Sequence, residues 1–495
     1  MKNENIMKLI PISLGLLIIG GGTVLRVNEA LHNDIWYDEA FTGIVIQQSW
    51  SDIVKTLIED RNHPPLFYAL LKIVTWITGS TDPLHLRLVS LFFGIATIPL
   101  GYSLIQQLNL EKEEKKWLGI ATMAVLSFSP FFVSYSTEAR SYALLLFLML
   151  ISIIYFIKAS NNSFKLSKEL VILVVMLIII MITHFLSALI LSGAFVAFLL
   201  IKMEENKALY NSDLMKKIGV IIFLGWILST WSWSSLNMGA VVKQPHQMDW
   251  IPHAELAVIP KTITDFLFGV HSRELGFPPA NTFSFPLLMG NIGFVILITS
   301  VIAFVIVLQK SIKNPRKLRD IIILTSLWIV PLVIDILASS FGVHMYIDRY
   351  MIGYGAMLII WMLYVWWNIA SKHIALIISI YLTLLLFVVR APYLTRYSEV
   401  VNLIPSGSLM TIESPIDYLV FKYYLPESNI KLLKQTSGQA YLWPLMPESI
   451  QITQNEVMPS SLIVIHKSAD RKIPPTWQQK FRTNDFRVYS VLKFK

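Results

Sequence analysis

The sequence predicts a polytopic α-helical membrane protein of about eleven transmembrane spans, followed by a small α/β domain. Three observations predict this fold class. Of the 495 residues, 55% are hydrophobic and 15% are charged, whereas soluble proteins carry about 25% charged residues. Apolar runs of about 20 residues, each long enough to cross a bilayer core of about 30 Å, recur from Leu9 to Val389. From about residue 391 onward the chain is much more polar.

These features exclude several classes of protein. The repeated apolar runs exclude a soluble enzyme and a single-anchor protein, and their continuity excludes an outer-membrane barrel, whose strands alternate. The chain has no cysteine, so neither disulfides nor thiolate metal sites are available. We interpret its net charge of +9 as a signal of membrane topology before nucleic-acid binding, because basic residues mark cytoplasmic loops. We expect membrane lipids, and no nucleic acid, among its partners.

The individual spans are assigned from the apolar runs. The first, Leu9–Leu25, follows Lys2 and Lys8 as a signal peptide would, but no small-residue cleavage site follows it, so we expect a retained span. The short run 66–80 opens with two prolines and carries Lys72, which indicates an interfacial or re-entrant helix. The remaining spans are predicted at 84–107, 117–134, 141–157, 170–184, 186–201, 217–235, 286–308, 320–338, 350–367 and 374–389.

Lysine and arginine positions decide the orientation. With eleven spans and a cytoplasmic N-terminus, most basic residues before residue 390 fall in short inner loops, as the positive-inside rule requires. Counting 66–80 as a further crossing would put every later basic loop outside. We therefore expect loop 28–65 and region 391–495 on the outer side of a cell membrane, of the bacterial plasma-membrane type.

The region 391–495 is predicted to be an extracytoplasmic α/β domain that follows a membrane domain at 1–390. Strand-like and helical runs alternate in it, separated by breaks with Pro and Gly, and it contains no glycine-rich phosphate loop. The strand-like runs are Ser408–Glu413, Ile430–Leu433, Ser461–His466 and Phe486–Phe494, and the helical runs are Ile416–Tyr424 and Thr476–Phe481.

Charged residues cluster in the first outer loop, where topology alone does not explain them. The pair Asp38-Glu39 lies near its start, and Arg61 and His63 lie near its end. A carboxylate suits deprotonation of an acceptor hydroxyl or amine. Arginine and protonated histidine suit a phosphate or pyrophosphate leaving group. The loop therefore predicts an acidic pair and a basic pair at one membrane-level cavity.

Two amphipathic stretches separate these pairs and are predicted to lie flat on the outer leaflet. One is Ala40–Gln48, and the other starts at Ser51, which with Asp52 makes a good helix N-terminus. The alternative for any loop charge is that water simply solvates it. We expect this for Asp34 and Asp60.

Further polar residues are predicted at the same outer edge. An alternative exists for each, because an arginine at a span end often extends to the lipid headgroups, and a histidine can cap a turn. Four basic groups on the face that also carries a carboxylate pair favour a functional set. The additional members are Arg87 at the start of the second span, Glu138 and Arg140 in S-Y-S-T-E-A-R-S-Y, His184 in the hairpin T-H-F, and Arg349-Tyr350 in D-R-Y.

The order of these motifs resembles a known family. The motifs W-Y-D-E-A, R-N-H-P-P-L-F-Y, L-R-L-V-S, E-A-R-S-Y-A-L, T-H-F and D-R-Y are similar to those of polytopic glycosyltransferases of the GT-C superfamily. The closest branch comprises bacterial relatives of protein O-mannosyltransferases and of the lipid A aminoarabinose transferase. The resemblance covers about residues 1–390.

The resemblance implies a function and roles for the site. Such enzymes transfer a sugar from a polyprenyl-phosphate carrier at the outer face of the membrane to a protein, lipid or cell-envelope glycan. It implies an inverting reaction without metal or other cofactor, and an outer C-terminal domain that shapes acceptor choice. Asp38 is then the catalytic base and Glu39 its neighbour, whereas the donor phosphate is bound by Arg61, His63, Arg87, Arg140, Arg349 and Tyr350, with Glu138 and His184 as further site candidates.

Two alternatives remain open. A transporter or flippase of lipid-linked substrates would carry ionisable residues at the bilayer midplane. The predicted spans are nearly free of mid-span charge, with Asp335 the main exception, which favours an enzyme at the membrane surface. A polymerase or ligase of cell-wall polymers would use diphosphate-linked donors.

The topology yields the first prediction. If the chain crosses the membrane eleven times, the region after Leu394 lies outside. Protease added to intact spheroplasts should then remove an epitope tag placed at Lys495, while a cytoplasmic marker stays intact. Retention of the tag under conditions that digest a known outer protein would contradict the topology.

Overall fold

A computed structural model describes most of the chain as helices, with one mixed sheet near the C-terminal end. The described residues are 2–60, 63–184, 187–205, 258–268, 285–340, 348–370, 396–433, 445, 450–452, 457–458, 461–466 and 477–491. Arg61, the predicted spans 217–235 and 374–389, and the predicted domain boundary at 390 lie outside these residues. Large apolar side chains are exposed on outward faces, such as Leu17 at 71%, as lipid-facing positions require.

Among the residues that the structure describes, six helices are long and apolar enough to cross a membrane. At 1.5 Å of rise per residue, about 20 residues span the apolar core. These six correspond to predicted spans, and the predicted spans 170–184 and 186–201 also form helices. Since two predicted spans are not described, the count of eleven stays a prediction. The helices are Lys2–His32, Tyr37–Gln47, Trp50–Asp60, Pro65–Thr78, Pro83–Ile105, Lys112–Phe128, Pro130–Ser136, Tyr142–Asn161, Lys168–Met181, Ser187–Glu205, Val258–Phe268, Phe285–Ser311, Pro315–Ser340, Ile352–Ala370, Tyr397–Val401 and Pro415–Tyr424, with a 3-10 turn at Asp348–Met351.

The predicted span 117–134 is bent in the structure. The helices Lys112–Phe128 and Pro130–Ser136 meet at an angle of 60°. Pro130 disfavours helical backbone at the residue before it, and Ser129 has the extended angles φ −58° and ψ 125°. The bend brings the following loop, with Glu138 and Arg140, back towards the first outer loop.

The short helix Pro65–Thr78 carries Lys72, whose side chain forms hydrogen bonds to the loop 28–65. Its 14 residues are too few for a span. Lys72 Nζ donates hydrogen bonds to the carbonyl oxygens of Ile46 and Gln48, at 2.6 and 2.8 Å. These carbonyls lie at the end of the helix Tyr37–Gln47, where backbone acceptors lack partners in the helix. The charge in the middle of this apolar run therefore caps a neighbouring helix.

Both amphipathic stretches of the outer loop are helical, but they begin earlier than predicted. The first starts at Tyr37, so Asp38 and Glu39 lie in its first turn. The second starts at Trp50, and Ser49 Oγ accepts the backbone N–H of Asp52 at 3.2 Å. The prediction that Ser51 starts this helix is wrong, because the serine two residues earlier already caps it.

Arg87 fixes the start of the outer loop from inside the protein. Its side chain is 1% exposed. Nε and Nη2 donate to Oε1 and Oε2 of Glu39 at 2.8 and 2.7 Å. Nη1 donates to the carbonyls of Ala30 and Asn33, and Nη2 also donates to that of Asp34. All five N–H groups of the guanidinium are thereby used within residues 30–39.

The C-terminal part forms a six-stranded sheet in the order β3-β2-β1-β4-β6-β5. Parallel pairing joins β3 to β2, β2 to β1 and β1 to β4, whereas β4, β6 and β5 pair antiparallel. The strands are β1 Leu409–Ile412, β2 Asn429–Leu433, β3 Gln451–Ile452, β4 Leu462–His466, β5 Trp477–Arg482 and β6 Phe486–Val491. One hydrophobic core connects this sheet, the outer loop and the spans.

The predicted strands and the helix after Ser414 are confirmed, but one element is wrong. Thr476–Phe481 was expected to be helical, whereas Trp477–Arg482 is the edge strand β5. In the sequence, Trp477 and Phe481 are four residues apart, a spacing that fits one face of a helix or of a regular strand. The strand itself has a register shift between Gln479 and Phe481. This segment forms a strand because it pairs with β6. The two-residue strand β3 was not predicted.

The Arg87 network yields the second prediction. Glu39→Gln keeps the side-chain shape but leaves a buried guanidinium without its counter-charge. Breaking a buried pair in this way costs about 3–5 kcal/mol, so the thermal unfolding temperature in detergent should fall clearly. The control Glu59→Gln, at an exposed position of the same loop, should change stability by less than about 0.5 kcal/mol. Equal unfolding temperatures for Glu39→Gln and the wild type would contradict the structural role.

Candidate active site

Asp38 lies where three distant segments of the chain meet. Its carboxylate is 13% exposed, and Oδ2 is 3.6 Å from Nη1 of Arg349 and 4.0 Å from Nη2 of Arg140. Arg140 comes from the loop after the bent span, and Arg349 comes from the turn that precedes the span Ile352–Ala370. Asp38 also sits in the first turn of its helix, where the helix dipole favours a negative charge.

The surroundings keep Asp38 ionised. Burial raises the pKa of its carboxyl, but the positive charges of Arg140 and Arg349 outweigh burial and hold the pKa below its usual value. Arg349 itself lies over the ring of Trp36, 5.5 Å from the ring centroid, a cation–π contact. The site therefore pairs a partly buried carboxylate with two buried guanidinium groups.

His63 connects Asp60 to Arg140. Its Nδ1 is hydrogen-bonded to Oδ2 of Asp60, and its Nε2 is in contact with Nη2 of Arg140. A guanidinium can only donate, so Nε2 accepts and the imidazole proton lies on Nδ1, where Asp60 accepts it. Asp60 is 2% exposed, so the expectation that water solvates it is wrong. The spacing of Asp60 and His63, three residues apart at a helix end, was the signal for this pair.

Aromatic rings form the wall beside this histidine. The ring of His184 lies 5.9 Å from that of Tyr142 and 5.5 Å from that of Tyr350. A cavity of about 10 Å³ remains among them, which is about the size of one water molecule. Its lining consists of His63, Pro64, Phe67, Tyr68, Arg140, Ser141, Tyr142, Thr183, His184 and Tyr350. His184 and Tyr350 thus lie at the edge of the predicted cluster.

Glu39 and Arg87 form a separate, structural pair. Both carboxylate oxygens of Glu39 accept from Arg87, and Oε1 also accepts the backbone N–H of Ala139 at 2.9 Å. Since Arg87 has used every N–H group, it does not fit the predicted contact with a donor phosphate. Glu39 likewise does not fit a second catalytic carboxylate. We therefore infer that both residues position the start of the Asp38 helix, and their part in the reaction stays a prediction.

Glu138 lies two residues before Arg140 and is 5% exposed. Its carbonyl accepts the backbone N–H of Arg140 at 2.7 Å, which tightens the loop that presents this arginine. Within the residues that the structure describes, no group of three or more His, Asp or Glu side chains could hold a metal ion.

The structure thus brings four predicted residues together. Asp38 faces Arg140 and Arg349, and His63 contacts Arg140. Asp60 and Trp36 complete the surroundings, although the sequence did not single out either as functional.

Part of the sequence matches a known protein family. Residues 62–233 match the family of dolichyl-phosphate-mannose-protein mannosyltransferases. This segment includes His63 and Arg140, whereas Asp38 and Arg349 lie outside it. A search of curated proteins finds no match.

Two solved structures are among those whose backbone follows a similar path. ArnT from Cupriavidus metallidurans bound to undecaprenyl phosphate is 10% identical, with a TM-score of 0.45 over 98% of each chain. The archaeal oligosaccharyltransferase AglB from Archaeoglobus fulgidus, in complex with an inhibitory peptide and a dolichol-phosphate, is 12% identical, with a TM-score of 0.47 over 86% of this chain and 64% of that one. The family match confirms the resemblance predicted from the motifs: the chain is similar to GT-C membrane glycosyltransferases related to protein mannosyltransferases.

Proposed function

We propose that this protein transfers a sugar from a polyprenyl-phosphate donor to an acceptor at the outer face of the membrane, with Asp38 as the general base. One observation carries the proposal. The partly buried carboxylate of Asp38 faces two guanidinium groups that come from distant parts of the chain, next to a histidine that contacts one of them. The family match over residues 62–233 supports a glycosyltransferase and does not favour the transporter alternative.

The two arginines suit the donor phosphate. A guanidinium presents its N–H groups in a planar fork that matches phosphate oxygens. Charge-assisted hydrogen bonds have lengths of about 2.7–2.9 Å, whereas the arginines lie 3.6 and 4.0 Å from Asp38. These ion pairs are loose, so a phosphate oxygen at hydrogen-bonding distance competes well with the carboxylate. Arg349 and Arg140 are both less than 10% exposed, which strengthens their attraction to an anion.

Asp38 then acts on the acceptor. The acceptor oxygen or nitrogen attacks the anomeric carbon from the face opposite the phosphate, and its proton passes to Asp38. The bond between this carbon and the phosphate oxygen breaks, and the electron pair leaves with the polyprenyl phosphate. Configuration is inverted because one displacement occurs. The phosphate also partly neutralises Arg140 and Arg349, so donor binding raises the pKa of Asp38 and makes it a stronger base.

A transferase assay tests the proposal directly. Purified protein is incubated with polyprenyl-phosphate carrying a labelled sugar and with acceptor-containing membranes, and native mass spectrometry identifies any co-bound polyprenyl lipid. We expect labelled acceptor and free polyprenyl phosphate in equal amounts. Movement of intact labelled lipid across proteoliposomes without sugar transfer would instead establish a flippase. A requirement for a diphosphate-linked donor would establish a polymerase or ligase.

The third prediction concerns the base. Asp38→Asn keeps the shape of the side chain but cannot accept a proton, so turnover should fall by about 10²–10⁴-fold while donor affinity survives. Asp52→Asn, an exposed carboxylate on the same loop, should retain full turnover. Near-normal turnover of Asp38→Asn would move the base to another residue, and loss of folding would make Asp38 structural.

The fourth prediction concerns the leaving group. Arg140→Ala and Arg349→Ala each remove a charge-assisted hydrogen bond worth about 1.5–3 kcal/mol, so the dissociation constant of the donor should rise by about 10- to 150-fold. Arg316→Ala, at an exposed position, serves as control in the same titration. If both variants bind the donor as the wild type does, these arginines are not phosphate ligands.

A further inference from the structure

The segment that leads into the Asp38 helix is held from two sides. Towards the membrane helices, the carbonyls of Asn33 and Asp34 accept hydrogen bonds from Arg87. Towards the C-terminal part, Oδ2 of Asp34 accepts from Ser398, both from its backbone N–H at 3.0 Å and from its hydroxyl at 2.9 Å. The expectation that water solvates Asp34 is therefore wrong.

A second C-terminal contact follows one residue later. The backbone N–H of Ile35 donates to Oη of Tyr424 at 2.9 Å. This N–H precedes the helix, so the helix itself does not supply its partner. Ile35 is completely buried, and without the tyrosine oxygen a buried donor would lack an acceptor.

The Asp38 helix also packs directly on the C-terminal helix Pro415–Tyr424. Tyr423 lies against Gly43, where a Cβ atom would come within 2.6 Å of Tyr423 Cε2. Only glycine allows this close approach. The hydroxyl of Tyr423 donates to the carbonyl of Thr81 at 2.7 Å, so the ring is fixed at its far end.

All these contacts come from one connected unit. The hydroxyl of Tyr397 donates to Oδ1 of Asp417 at 2.7 Å, which joins the short helix with Ser398 to the helix with Tyr423 and Tyr424. The ring of Tyr397 lies 5.7 Å from that of Phe421 and 5.3 Å from that of Phe486. Phe486 belongs to β6, so both helices are packed on the sheet.

We propose that this C-terminal unit sets the position of Asp38 relative to Arg140 and Arg349, and that Ser398 and Tyr424 are positioning residues for the transfer reaction. The inference rests on the proposed function. Asp38 lies three residues after Ile35, in the first turn of the helix that begins at Tyr37, whereas the two arginines are attached to membrane helices. The distances of 3.6 and 4.0 Å from Asp38 to Arg349 and Arg140 therefore depend on how the Asp38 helix lies relative to the membrane helices. Two sets of hydrogen bonds hold the segment before Asp38 and so influence these distances. One set comes from Arg87, and the other comes from Ser398 and Tyr424.

The test is the double variant Ser398→Ala/Tyr424→Phe. Each change removes one hydroxyl and little volume. We expect turnover to fall at least tenfold, because small displacements of a reacting group have large effects on rate. The donor dissociation constant should stay within about twofold, since the phosphate contacts come from other elements. The matched control is Glu399→Gln/Lys422→Gln on the same two helices, because Glu399 pairs with Arg396 and Lys422 donates to the carbonyl of Pro426.

A pH profile separates positioning from general weakening. When Asp38 moves away from its arginines, its pKa should rise towards the usual value, and the acid limb of kcat/KM should shift to higher pH. Loss of stability alone would not move this limb. The charged and titratable groups that face Asp38 are Arg140, Arg349, His63, Tyr37, Tyr68 and Tyr142, and all of them are retained in the variant.

Asp38→Asn, measured in parallel, distinguishes the two proposals. Normal turnover of Asp38→Asn would overturn the proposed base itself. If Asp38→Asn is inactive but the double variant keeps wild-type turnover and pH profile, the positioning proposal is wrong. Reduced turnover with an unshifted acid limb would also overturn it. If the double variant does not fold, Tyr424→Phe alone is measured by the same criteria.

Discussion

The buried charge of Arg87 is the constraint on which the outer part of this protein depends. A guanidinium removed from water must be matched in both charge and hydrogen bonds, or its burial is very costly. Here Glu39 supplies the charge, and the carbonyls of Ala30, Asn33 and Asp34 supply the remaining acceptors. The backbone between the helices Lys2–His32 and Tyr37–Gln47 therefore has little conformational freedom. The position of the backbone at Asp38 is fixed as a result.

The two clusters of charge in this region differ in geometry, in keeping with the different roles that we propose for them. Arg87 donates hydrogen bonds of 2.7–2.8 Å to Glu39, and its other N–H groups bind backbone carbonyls. No N–H group of this guanidinium is therefore available to a ligand. Asp38 stands 3.6 Å or more from its arginines, where the attraction lowers its pKa without closing the site. In the function that we propose, these neighbouring carboxylates have separate roles: Glu39 holds the backbone in place, and Asp38 takes the proton.

The sequence predicted the helices of the described spans and brought forward the residues that meet at Asp38, since apolar length and the position of charge depend on local composition. It could not predict which carboxylate pairs with which arginine, because this depends on the packing of distant segments. Arg87 was therefore assigned to the phosphate instead of to Glu39, and Asp60 and Asp34 were assigned to water. Thr476–Phe481 was assigned to a helix, because only the pairing with β6 distinguishes the two structures that fit its apolar spacing. The start of the Asp38 helix was placed too late for a similar reason, since Trp36 provides no capping side chain.

The contacts between the first outer loop and the C-terminal part also bear on how the protein is made. Asp34 and Ser398 are 364 residues apart, and Ile35 and Tyr424 are 389 residues apart. The loop that carries Asp34 and Ile35 is translated early, yet its partners Ser398 and Tyr424 are translated more than 360 residues later. Contacts of such long sequence separation form late. During biogenesis the membrane therefore holds an inserted chain whose Asp38 helix still lacks its C-terminal partners, and the complete site arises only after the C-terminal sheet has folded.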